Sequence, residues 1–202
     1  MIVTISNQYG SGAVGLAELA ARELGYAFVD RELPVVVAKR LHVEPEMVDA
    51  AEDSLPSVGA LLLAGLERST PEVGEIPVGR RFDDDLIGEI RAAVLEYAAL
   101  GNVFIVGRGA GAILGRRAGV LRVYLHAPRG WRIRHVMDGL GVDERVATHE
   151  VDRVDRARRA YLHEWFGIEF GNPDNYDLCV DTSAFAAGRA VALLAAAVRA
   201  HE

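Results

Sequence analysis

At 202 residues, with 50% hydrophobic and 25% charged side chains and a net charge of −7, the chain has the size and apolar content of one domain sharing a single core. The acidic balance excludes a general nucleic-acid binder, whose surface is basic. No apolar run reaches the roughly 18 residues of a membrane span, and the run at 2–5 is too short and lacks the basic flank of a signal peptide, so no membrane partner and a cytoplasmic location are expected.

Residues 2–6 read as a short strand running into glycines, and Leu16, Leu19, Ala20 and Leu24 recur at helical spacing over 13–24, so the chain opens strand, turn, helix. Gly25 ends that helix, and 26–29 form a second strand closed by Asp30. Helices are expected over 32–40, 45–51 and 57–67. Periodicity vanishes over 68–82, where Pro71, Gly74, Pro77 and Gly79 predict a loop, open to service as an acceptor lid or as a homodimer contact. Asp83, Asp84 and Asp85 suit the start of a helix running to Leu100.

The strand at 103–106 is wholly apolar, as a parallel strand covered on both faces should be. A turn with a short helix fills 107–119, a strand 120–125, a helix from there to about Gly139, and an arginine-rich helix 143–166. The strand 178–181 and an alanine-rich helix 186–200 close the chain. Alternation of this kind predicts a three-layer α/β/α fold with a parallel sheet, its ligands beyond the carboxyl ends of the strands. Cys179, alone in an apolar run, is expected to be buried packing. The histidines, among them His126, His135, His149 and His163, are too scattered for a metal-ligand set and read as solvated or core residues. Ser6, Ser11 and Ser183 lack a nucleophile-elbow context.

Gly10-Ser11-Gly12, between a strand and a helix, could turn backbone N–H groups toward an anion, or could be an ordinary tight turn. Aligned on Gly12, the phosphate-binding pattern G-x-x-x-x-G-K-S/T finds Asn7 for its first glycine, Ala13 for its lysine and Val14 for its hydroxyl residue. Three of the four anchors are therefore absent.

Tyr9-Gly10-Ser11-Gly12, the helix and strand at 19–30, Val106-Gly107-Arg108-Gly109, the strand 123–128 with Arg132, Asp152-x-x-Asp155-x-x-Arg158, and the closing 171–178 and Asp181-Thr182-Ser183 occur in an order that resembles the cytidylate kinase-like family, a branch whose loop commonly lacks the lysine. The resemblance implies a P-loop NTPase-type fold with a helical lid at about 140–170 and an acceptor-side helical insertion at about 31–82, all within one domain. It implies ATP and Mg²⁺ as cofactors and transfer of a phosphoryl group to a nucleoside monophosphate or related small molecule. Tyr9, Gly10, Ser11, Gly12, Ala13, Val14 and Gly15 would form the nucleotide-binding segment. Arg108, Arg132 and Arg158 would supply catalytic charge, and Asp30, Arg108 and Asp155 would hold the acceptor, with no protein metal ligands.

Each assignment has a plain rival. Arg108 could be an arginine paired with a carboxylate, Arg132 a helix-surface charge, and the Asp152–Arg158 face a solvated helix laced with ion pairs. Arg31-Glu32-Leu33 and Gly109, where the family usually has an aspartate after its middle arginine, depart from the cytidylate kinase pattern, so CMP specificity does not carry over. The missing lysine and hydroxyl also leave open a nucleotide-binding protein that has lost turnover.

Overall fold

The computed structural model describes residues 1–53 and 80–201, with side chains from 1–49 and 83–201. Its elements are β1 (Ile2–Asn7), α1 (Ala13–Leu24), β2 (Ala27–Val29), α2 (Glu32–Leu41), α3 (Pro45–Asp53), α4 (Arg80–Ala99), β3 (Val103–Val106), α5 (Ala110–Leu114), β4 (Val120–His126), α6 (Arg129–Leu140), α7 (Glu144–Phe166), β5 (Leu178–Asp181) and α8 (Ala187–His201). The five strands are all parallel in the order β2-β3-β1-β4-β5, so from β1 the chain goes first to the edge at β2, returns to β3 beside β1, then crosses to β4 and runs out to β5. The strand-helix alternation read from the sequence is this architecture.

The central strands are apolar on both faces because helices cover both. On one face Val3, Ile5, Phe104, Val123 and Leu125 pack against α1 and α8, where Ala13, Ala17, Ala20 and Ala21 present side chains short enough for a close approach. On the other, Val103, Ile105, Val120 and Tyr124 meet α2, α4 and the end of α7 through Leu33, Ile90, Val94, Tyr161 and Leu162. A smaller cluster of Ile133, Val136, Ala147 and Val151 fixes α6 against α7.

Two expectations change. Helix α4 begins at Arg80, earlier than the acidic run, and Asp83 is buried within it. The expected helix over 57–67 lies outside the described residues, as does the loop expected over 68–82 except for 80–82, which form the first residues of α4. Cys179 is exposed rather than packed, because β5 is an edge strand and the apolar layer facing α7 ends at β4. No helix among the described residues is long and apolar enough to cross a membrane.

Candidate functional site

The glycine turn emerges from the carboxyl end of β1, the centre of the sheet. Gly10 and Gly12 both take left-handed backbone angles, φ +76° and +71°. At Gly10 the requirement is also spatial, since a Cβ would come within 2.8 Å of Val136 Cγ2 and 2.9 Å of the Arg132 carbonyl.

Every odd-numbered carbonyl of the segment is tied from behind. Arg158 Nη1 donates to the Asn7 carbonyl at 3.0 Å, Arg132 Nη1 to that of Tyr9 at 2.9 Å, and the Thr182 hydroxyl to that of Ser11 at 2.7 Å. The Tyr9 N–H donates to Asp155 Oδ1 and the Ser11 N–H to the Gln8 carbonyl. The N–H groups of Gly10, Gly12, Ala13, Val14 and Gly15 meet no protein acceptor among the described residues. Carbonyls are thus held away while amides stand open at the N-terminus of α1, which is the arrangement that binds anions. The Asp181-Thr182-Ser183 segment explains part of it, with Thr182 bridging the Ser11 and His126 carbonyls.

These residues line a cavity of about 310 Å³ that includes Tyr9, Gly10, Ala13, Val14 and Arg158. A second cavity of about 430 Å³, mostly apolar, is walled by Leu16, Leu19, Trp131, Thr182 and Phe185. Gly12, Gly15 and His135 belong to both.

The expected arginines are distributed differently from one another. Arg132 is neither a helix-surface charge nor an open cation: its side chain is 5% exposed, its Nη1 sits 2.7 Å from Asp155 Oδ2, and its Nε donates to the Ala127 carbonyl at 3.0 Å. Asp155 is consequently held between Arg132 and the Tyr9 amide. Asp152 pairs with Arg129 through two hydrogen bonds, which hold its carboxyl below the usual carboxylate range. The Asp152–Arg158 face therefore pins α7 to α6 and to the glycine turn.

Arg108, at the end of β3, is buried and bonded to Asp49 of α3. It adopts φ +56° between Gly107 and Gly109 at +68° and +66°, a left-handed run that a non-glycine residue enters only at about 1 kcal/mol or more. Gly109 is forced: a Cβ there would lie 2.5 Å from the Phe166 ring, itself edge-on to Tyr161 with the Arg91 guanidinium 5.0 Å above its centroid. Phenylalanine thus fills the space beside the middle arginine. Asp30 directly follows β2, which lies beyond β3 from the glycine turn.

Val14 offers no oxygen to a cation, and the described residues contain no group of three or more histidine, cysteine or carboxylate side chains able to hold a metal. Among the described residues, therefore, no such side-chain cluster is available to hold Mg²⁺ without other ligands.

Sequence reasoning missed Trp131, His135 and Phe185. The i, i+4 spacing of Trp131 and His135 was the available signal, for it stacks their rings at a centroid distance of 5.0 Å and 12° between planes.

The chain matches the model of the cytidylate kinase-like family over residues 2–184. Its fold is similar to that of a protein from Eubacterium ventriosum, with a TM-score of 0.69 at 17% identity and 98% of each chain covered. It is similar also to shikimate kinase from Bacteroides thetaiotaomicron, with a TM-score of 0.56 at 16% identity and again 98% of each chain covered. A stretch of 89 residues, 44% of the chain, is 30% identical to the uronate isomerase of Corynebacterium glutamicum, of which it spans only 17%. With the family model matched across every strand of the sheet and the whole glycine turn, the chain belongs to the cytidylate kinase-like family.

Proposed function

We propose that this chain is a phosphotransferase that binds ATP on the open amides of Gly10 and Gly12–Gly15 and passes its γ-phosphoryl group to a nucleoside monophosphate or related small molecule. The observation that carries the reading is the division of the turn into tied carbonyls and open amides. The 430 Å³ apolar cavity suits a nucleobase beside those phosphates, and Trp131 and Phe185 offer aromatic contact. Mg²⁺ would arrive on the triphosphate, since this cation is commonly held by substrate phosphates and water.

Arg158, lining the phosphate cavity, and Arg108, at the end of β3, would meet the donor and acceptor phosphates, for which a guanidinium fork is suited. Arg132 and Asp155 act one step back by holding the Tyr9 backbone. Asp30 would address the acceptor from β2.

A second reading, nucleotide binding without turnover, is favoured by Ala13 and Val14 together with the pairing of Arg132 to Asp155. Incubation with ATP, Mg²⁺ and a panel of monophosphates separates the two. ADP formation that depends on one acceptor supports transfer; tight ATP binding with no ADP above background for any acceptor supports the second reading. Replacement of Arg108 and Arg158 by alanine should lower kcat/KM by about 10²-fold or more if each meets transferred charge.

A further inference from the structure

We propose that His135 is a ligand of the donor phosphates, an imidazole occupying the role left vacant by Ala13; this rests on the nucleotide-binding reading above. Of the three residues common to the phosphate cavity and the apolar cavity, His135 alone has a side chain. It therefore stands where a base in one cavity would join its phosphates in the other.

Its orientation is imposed. Trp131, one turn earlier on α6, covers one face of the imidazole with a nearly parallel ring, 12° away. The ring is left edge-on to the turn, with Nε2 3.5 Å and Cε1 3.9 Å from the position of a Cβ on Gly12. Nε2 is thus the nitrogen nearest the left-handed cap of α1, beside the open amides of Gly12 and Ala13. Either the imidazolium or the neutral ring carrying its proton on Nε2 donates a hydrogen bond from that edge.

The side chain is also uncommitted. It makes no hydrogen bond or ion pair with the described residues, and the stack on Trp131 is its one ring contact among them. Arg132, three residues earlier, has its charge balanced internally by Asp155. A phosphate seated on the amides of Gly12 and Ala13 would accept from Nε2 without displacing any protein partner of the ring. The apolar walls at Leu16, Leu19 and Phe185 already suffice for a base, so the imidazole is better matched to an anion.

Binding of Mg·ATP and of inorganic tripolyphosphate, measured by calorimetry on the full chain and on His135→Ala and His135→Arg, tests the assignment. His135 is exposed, so both variants should melt as the wild type does. The expected result is that His135→Ala weakens both ligands by about 10- to 100-fold, as for loss of one charge-assisted hydrogen bond, while His135→Arg stays within about threefold of wild type. Unchanged binding of either ligand by His135→Ala overturns the proposal; loss of ATP alone would make the residue a base contact. Absence of ATP binding by the wild type would instead overturn the reading of the whole site.

Discussion

At the scale of single residues, the glycine turn is built so that side chains would harm it. Gly10→Ala combines a left-handed φ with contacts under 3 Å to Val136 and Arg132, so it should lower stability by about 1–3 kcal/mol and abolish ATP binding, read by urea denaturation and calorimetry. Ser11 presents the opposite case. Its Oγ is fully buried without a hydrogen-bond partner among the described residues, and a buried unsatisfied hydroxyl is unfavourable by about 1–3 kcal/mol. Ser11→Ala should therefore leave stability unchanged or raise it by up to about 1 kcal/mol. A loss of more than that in urea denaturation would mean the hydroxyl is engaged after all.

At the scale of elements, the closing segment 171–178 holds the β4–β5 edge together. Tyr176 stacks on Tyr124 at 4.8 Å, and Asp177 takes Arg122 in a two-pronged ion pair while accepting from the Arg122 amide. Asp177→Asn should destabilise by about 2–3 kcal/mol, less than for a fully buried pair because Asp177 is partly exposed. The strands at 103–106 and 178–181 were legible in the sequence because parallel strands here are short apolar runs between turn residues. What these elements do to one another was not. The Asp152, Asp155 and Arg158 spacing correctly places three charges on one helix face, yet only the packing of α6 shows that Arg129 and Arg132 meet two of them. Exposure of Cys179 depends on β5 being an edge, and strand order is absent from local pattern. His135 looked unremarkable because its neighbour Gly12 is distant in sequence.

For the whole molecule, stability and binding should separate by pH and by chemistry. The Arg122 guanidinium holds the Asp177 carboxyl below its ordinary value, so this pair contributes in full above about pH 4, the unfolded carboxylate value, and its contribution is lost as pH falls below that. Urea midpoints should thus fall more steeply below pH 4 for the wild type than for Asp177→Asn. Partial desolvation of the exposed Cys179 sulfur pushes its thiol up, so alkylation should be slower at pH 7 than at pH 9. The turn itself is tested most directly by titrating ¹⁵N-labelled protein with Mg·ATP and following its amide resonances. The amides of Gly10, Gly12, Ala13, Val14 and Gly15 should shift most, with those of α8 beyond Leu194 little changed. ATP binding that leaves those five resonances in place, or no binding at all, would contradict the account.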